Sequence, residues 1–586
     1  MRILSLILVL ALLTLTAPTR AAVNEVVGDG TAGSCTEDAL RDAVKSLNDN
    51  NGGTITFNCG GAHTFPLTKQ LKFNTANANY TLDGGGLITL DGQSDTRVIY
   101  TTPGRYLSLT VRNLSIINGR ARDDAPGERA ANQGGGIYSG YYNSLTVQNV
   151  TFINNRAKAE RHQYHGGGAI AIDTTSIVAI RDSAFIDNRS PNGGAINNLL
   201  SVLTIERSLF QSNVSTSPDP GGGGAIYNDA GKLTIKDSHI FDNTSANLGG
   251  GIFTWAHNVN GSYSGPTVIK NTVIDGNSAE HGGGLWKGGY YILKLKNSSV
   301  TNNTAIDVGG GISGTGPGKD FKIVNTTFAY NSVTTTGSAG ALFSTGGSTI
   351  KSVTFAFNTV PNDGASVGGA IHAVATVKNT LFLGNTGGWN GIRGCFGTIT
   401  NGGHNLQSPG DSCGGGIPIK DAVLNGTLEP ARASLTFGQT QVLVPLPGSP
   451  AYNAGANCPD IDQRGVTRPQ GDACDIGAYE KVGAAPGDVT ITFPTDGGTA
   501  GTQPTITWTP SAGADTYKII IKKANGDTVY STARTHGAAN CAATCSLHLA
   551  AEDEITLKTG KTYSVKVKAR SDFGSRADKV TFTVTG

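Results

Sequence analysis

A repeat of about 29 residues runs through the middle of this chain, and it leaves few folds open. The motif is Gly-Gly or Ala-Gly, an optional small residue, then Ile or Leu. Its apolar member recurs at Ile137, Ile170, Ile196, Ile226, Ile252, Leu285, Ile312, Leu342 and Ile371. A second motif keeps pace with it, as in NVTFINN (149–155), DSAFIDN (182–188) and NTTFAYN (325–331), and closes on Asn155, Asn188, Asn213, Asn243, Asn277, Asn303, Asn331, Asn358 and Asn385. A short alternating strand such as SLTVQN (144–149) lies between the two. Three short strands per repeat at so steady a period do not make a hairpin sheet. They read as one coil of a parallel β-helix, with equivalent residues ~4.8 Å apart and the recurring Ile, Val and Phe piled into one interior. The Asn suits tight turns, because it accepts left-handed backbone and can bond to its counterparts above and below. The glycines suit corners where a Cβ would clash.

Gly is 82 of 586 residues, but its clusters are not phosphate loops. Such a loop occurs once, between a strand and a helix, whereas this motif occurs nine times. Calcium-binding nonapeptides require Asp at a fixed spacing that is absent.

The first 21 residues read as a secretory signal: Arg2, the apolar run Ile3–Leu15, then small residues before a cleavage site after Ala21. That run is shorter than a spanning helix needs. The chain carries 45 basic and 43 acidic residues, and the excess is Arg2 and Arg20. The mature chain is therefore neutral, without a broad footprint for nucleic acid or anionic lipid. Eight Cys fit export and fall in close pairs, Cys35 with Cys59, Cys395 with Cys413, Cys458 with Cys474 and Cys541 with Cys545. Disulfides are expected, since no C-x-x-C or matching His spacing suggests a metal site. No cofactor is expected.

Residues 120–390 resemble the repeats of chlamydial-type polymorphic outer-membrane proteins, within the right-handed parallel β-helix (pectin-lyase-like) superfamily. CTEDALRDAVKSLNDNNGGTITFN (35–58) resembles the N-terminal cap of such surface proteins. There Thr36 can cap a helix whose Leu40, Val44 and Leu47 share one face. PGSPAYNAG, DxRGxxRP and CDIGAYE within 447–480 are similar to the bacterial choice-of-anchor Q segment, which implies the end of the β-helix. After a linker at 481–488, residues 489–586 show regular alternating strands. Leu557 with Tyr563 resembles the tyrosine corner of fibronectin type III domains, and Trp508 their core Trp. The expected architecture is thus all-β: a signal peptide (1–21), a right-handed parallel β-helix or solenoid (22–480), and a C-terminal β-sandwich.

The superfamily resemblance implies lyases with an Arg or Lys base and calcium, or hydrolases with paired Asp. The best charged group lies in two neighbouring turns: Asp123, Asp124, Arg129, Arg161, His162 and His165. Solvated loop charge explains it as well. Asp187, Asp242 and Asp275 read as one structural turn column beside the Asn. His281 and His372 read as surface residues.

The residue after each repeat's Ile or Leu forms a further column, with aromatics at Tyr138, Tyr227, Phe253, Trp286 and Phe343. Strand residues alternate faces, so this column points outward. It is a candidate ligand-binding strip for stacking sugar rings; alternatively the rings pack beneath their own loops. Insertions add Tyr141, Tyr142, Trp255, Tyr263, Tyr290 and Tyr291. The resulting expectation is a secreted or outer-surface bacterial protein of the adhesin and polysaccharide-binding class, with an extracellular polysaccharide or a host or cell-surface glycan as partner, without catalysis, without nucleic-acid partners and without a transmembrane segment after signal removal. A polysaccharide lyase or glycoside hydrolase, and a passive display stalk, are the alternatives.

Overall fold

The protein is described here from a computed structural model covering residues 21–586, apart from 122–131, 159–164, 219–220, 257–264, 317–318, 389–393, 409–412, 414–415, 419–423, 447, 484, 536–537, 540, 542, 550–554 and 572–573. It is a parallel β-solenoid of about 13 turns with very little helix, followed by C-terminal sheets. Two compact units divide it, one reaching Val268 and including Gly276–Tyr291, the other comprising Ile269–Asp275 and Ile292–Gly586.

In the first unit the strand Val23–Val27 pairs in parallel with Gly52–Phe57. Between them lies helix α1, Glu37–Asp49. Thr36 Oγ1 accepts the Ala39 N–H at 3.1 Å, and Leu40, Ala43, Val44 and Leu47 are buried, as the apolar spacing requires. Cys35 is bonded to Cys59. The coils then repeat in register. Ile137, Ile170, Ile196, Ile226, Ile252 and Leu285 form one inward column, wholly buried. Phe152, Phe185 and Phe210 form another, with rings stacked at 4.8 and 4.6 Å.

The turns divide two tasks that the sequence assigns to one Asn. The closing Asn points inward and is buried. Its Oδ1 accepts both the backbone N–H and the side-chain amide of the Asn one coil earlier, at 2.8–3.1 Å. This ladder runs Asn155–Asn188–Asn213–Asn243–Asn277 in the first unit and Asn303–Asn331–Asn358–Asn385 in the second. Left-handed backbone falls on the residue before it: Asn154, Asp187, Ser212 and Asp242 have φ of 53–56°, and Asn118 has 50° before Gly119, which holds the closing place in its coil. Gly276 takes that place before Asn277, so Asp275 does not belong to the Asp187–Asp242 column. Asp275 is instead the register partner of Thr301, and pairs with Arg432 at 3.0 Å. At the Gly-Gly corner Gly193 has φ 61°, and a Cβ there would lie 1.9 Å from the Ile196 carbonyl oxygen.

In the second unit residues 424–480 run along the outer face of the coils instead of only closing an end. Leu424, Leu443, Ala451 and Ile476 pack on Ala329, Ala356, Leu381 and Leu383. Asn325 Nδ2 donates to the Ile461 carbonyl (2.7 Å), Thr327 Oγ1 to Gln463 (2.7 Å), and Ala478 N–H to Thr354 Oγ1 (3.0 Å). The small outward side chains Ala329 and Ala356 leave room for this layer.

The C-terminal residues form a three-stranded sheet (Ile491–Phe493, Thr505–Trp508, Cys545–His548) and a five-stranded one containing Thr516–Lys523, Thr562–Ser571 and Gly574–Val584. Trp508, Tyr517, Val565, Val567 and Phe582 are buried between strands that read as alternating. Tyr563 Oη accepts the Lys558 N–H at 3.1 Å, which ties this strand's start to the chain just upstream.

Candidate functional site

The aromatic column forms, but beneath the surface. Tyr227, Phe253 and Trp286 are in register, with rings stacked at 4.4 Å (4°) and 5.0 Å (10°). Yet Tyr138, Tyr227, Phe253 and Trp286 are only 0, 4, 3 and 6% exposed. They point away from the solenoid interior, as alternation demands, and the Tyr227–Phe253–Trp286 stack is covered by the segments leading into the Gly-Gly corners. Gly222, bridged to Leu248, passes so close that a Cβ would stand 2.8 Å from Phe253 Cδ2, and Leu248 packs on the cluster. Of the two arrangements the sequence allows, rings packed under their own loops is the one present. An exposed strip at these four residues is not.

Tyr138 is held as a neutral phenol. Its Oη donates to Asp173 Oδ2 at 2.7 Å, and its pKa is pushed upward, first by burial and then by the Asp173 charge. The Arg97 guanidinium sits 5.4 Å over the same ring and donates to the Gln133 and Gly134 carbonyls. Phe343 is the member that stays half-exposed. Its register partner His372 meets it edge-on at 5.2 Å and meets Phe396 at 4.7 Å. His372 is thus part of an aromatic row, not an isolated surface residue, and burial pushes its pKa down.

Of the charged turn group, Asp123, Asp124, Arg129, Arg161 and His162 lie outside the described residues. His165 is half-buried, and its carbonyl accepts from Asn192 Nδ2 at 3.2 Å. Among the described residues no three His, Cys, Asp or Glu side chains converge as a metal site.

A different aromatic group is exposed. Tyr106 and Tyr142, 62 and 44% exposed, stack at 5.1 Å with ring planes 7° apart. Tyr141 meets Tyr142 edge-on at 5.4 Å and lies against Gly104, where a Cβ would come within 3.0 Å of its ring. Tyr106 and Tyr142 occupy the same turn of successive coils with φ of 54° and 64°. Bulky residues rarely adopt that backbone. Later coils place Thr175, Leu200 and Ala230 in left-handed turns after the equivalent strand. None of the three tyrosine hydroxyls has a partner among the described residues. The signal available in the sequence was the pair Tyr141–Tyr142; Tyr106 carries no motif.

The anchor-like motifs converge on a buried polar knot. Asp462 accepts from Arg464 Nε (2.9 Å), Arg464 N (2.8 Å), Val466 N (2.9 Å) and Glu480 N (2.9 Å). Arg468, buried against Glu480 at 3.6 Å, donates to the Asp475 and Gly477 carbonyls. Asp475 accepts the Asn453 and Lys481 N–H groups, yet burial raises its pKa to about 6. Cys458 is bonded to Cys474 across this knot, and Cys395 to Cys413 and Cys541 to Cys545 elsewhere. Asp462, Arg468, Asp475 and Glu480 of the signature are thus held in bonds within the fold.

Fold and site together define a disulfide-bonded parallel β-solenoid whose flank carries an exposed tyrosine cluster. The repeat of the Chlamydia polymorphic membrane proteins matches residues 149–173. Among solved structures, a PL6 alginate lyase in complex with a trisaccharide is similar at 11% identity and a TM-score of 0.33, over 73% of this chain and 92% of that one. No curated protein sequence matches.

Proposed function

We propose that the protein is a secreted or outer-surface solenoid of the adhesin class that binds an extended polysaccharide without turning it over. The observation that carries this reading is the Tyr106–Tyr142 stack. Two exposed aromatic rings are stacked at coil spacing on a left-handed turn that the later coils fill with Thr175, Leu200 and Ala230. The two rings offer exposed apolar surface, with a hydroxyl each, to a sugar chain laid along the flank. A surface location agrees with the membrane-protein repeat matched at 149–173 and with the four disulfides. Among the described residues no helix is long and apolar enough to cross a membrane.

The test is a glycan array, with reducing-end and unsaturated-product assays on every hit. Binding should be lost in Tyr106→Ala/Tyr142→Ala with the melting temperature unchanged. Undiminished binding by that variant would remove the tyrosine reading, and product release would replace it with the lyase or hydrolase one.

A further inference from the structure

Residues 22–586 carry as many acidic as basic side chains, but these are unevenly arranged. Among the described residues from Asp83 to Lys378, one outward residue of each coil precedes the first turn. In the first unit this row reads Asp83, Arg112, Gln148, Arg181, Glu206 and Lys236, in continuous register. It is self-neutralising: Arg112 pairs with Asp83 at 2.8 Å, Arg181 with Glu206 at 3.4 Å, and Lys236 with Glu206 at 3.3 Å.

In the second unit the same row reads Lys270, Lys296, Val324, Lys351 and Lys378. Lys270 is tied to it through Asn271 N–H donating to the Lys296 carbonyl at 3.1 Å. The outward row two residues earlier reads Lys294, Lys322, Thr349 and Thr376. Lys270, Lys294, Lys296 and Lys322 are exposed, and Lys351 and Lys378 half-exposed. None of the six makes an ion pair among the described residues. Lys351 registers the crowding: its pKa is pushed down by burial and by the Lys378 and Lys322 charges, with Asp460 opposing.

We infer that these lysines form a docking strip for a linear acidic polysaccharide lying along the solenoid, with a carboxylate meeting each coil. The strip repeats at the ~4.8 Å strand spacing, which suits a polymer charged on every sugar. Its outward positions are Lys, Thr and one Val. It therefore has no ring on which nucleic-acid bases could stack and no apolar row to enter a membrane. Hydroxyls of the exposed Thr349 and Thr376 add neutral donors beside the charges. The inference rests on the polysaccharide-binding reading but uses a different surface, so the two can fail separately.

The probe is immobilised polygalacturonate, with neutral galactan, a single-stranded oligonucleotide and vesicles containing anionic phospholipid in parallel. Polygalacturonate binding should weaken about tenfold or more between 50 and 200 mM salt. It should fall at least about tenfold at 50 mM salt in K294Q/K322Q/K351Q/K378Q, while the matching Lys→Arg variant and Lys236→Gln bind as the parent does. Unchanged binding by the Gln variant, or equal loss in Lys236→Gln, would overturn the strip. Tighter capture of the oligonucleotide or the vesicles would overturn the choice of partner. Loss of galactan binding only in the Tyr106/Tyr142 variant would separate the tyrosine surface from this one.

Discussion

Asn331→Ala measures how much of the solenoid the Asn ladder holds. As a lost turn bond it would cost on the order of 1 kcal/mol. The geometry asks for more. Asn331 Oδ1 accepts the Asn303 backbone N–H at 3.1 Å and its side-chain amide at 2.9 Å, while Asn331 Nδ2 donates to the Val300 carbonyl at 2.8 Å and to Asn358 Oδ1 at 2.8 Å. Truncation strands a buried N–H and one amide hydrogen of Asn303 and takes a donor from Val300, all where residues are fully buried. At ~1 kcal/mol or more for each orphaned group, the loss is about 3 kcal/mol. Coils contact only their neighbours, so a global melt blurs the effect. Hydrogen exchange by mass spectrometry, read on peptides spanning 297–305 and 324–332, isolates it. Asn154→Ala in the first unit, at a left-handed turn position, serves as the comparison and should cost less. A loss below about 1 kcal/mol for Asn331→Ala would mean that water replaces the ladder and that the stacked apolar columns alone set the register.

Two further outcomes follow from buried groups. Phe253→Ala should cost about 3–5 kcal/mol in the first unit, because the ring is buried and stacked on both Tyr227 and Trp286; an unmoved melting temperature would restore the exposed-strip reading. Asp475, raised to about 6 in the fold, binds a proton there that the unfolded chain releases near its ordinary value. Its contribution therefore improves as pH falls from about 6 towards about 4, by up to about 3 kcal/mol. His372, lowered by burial, acts oppositely, losing stability as pH falls through the ordinary His range. The stability difference between wild type and Asp475→Asn, followed from pH 7 to 4.5, isolates the first term. A difference independent of pH would show that Asp475 ionises normally.

The interior of this solenoid was legible because stacking imposes a rule on sequence. A residue that must pile on its counterpart recurs at a fixed place, as Ile170 on Ile196 and Phe185 on Phe210 do. Helix α1 was legible for a local reason, a capping Thr36 before an apolar face. What escaped was set by segments distant in sequence. Nothing near Phe253 announces that Gly222, one coil earlier, will pass over its ring, and nothing near Ala329 and Ala356 announces Leu424 or Ile476. The Asn motif was read correctly as a turn, but left-handed backbone and ladder bonding fall on neighbouring residues, a distinction of one position that only the coil geometry makes.

Outward rows escape that rule, and so the function is to be sought in them. Inward columns admit little besides Ile, Leu, Val, Phe and Asn, whereas the row before the first left-handed turn passes from Asp83–Arg112 pairing to successive lysines. Like charges opposite one another on parallel strands work against the sheet. At ~4.8 Å in water each such neighbour costs on the order of 1 kcal/mol, less with salt. The first unit shows how this fold avoids that cost, by placing Glu206 between Arg181 and Lys236. A single acidic residue at 324, where Val now stands between Lys296 and Lys351, would do the same for the second. Val324→Glu should accordingly raise stability at low salt while weakening the strip's hold on a polyanion, the opposite signs expected when a surface keeps its charge for a ligand and not for the fold.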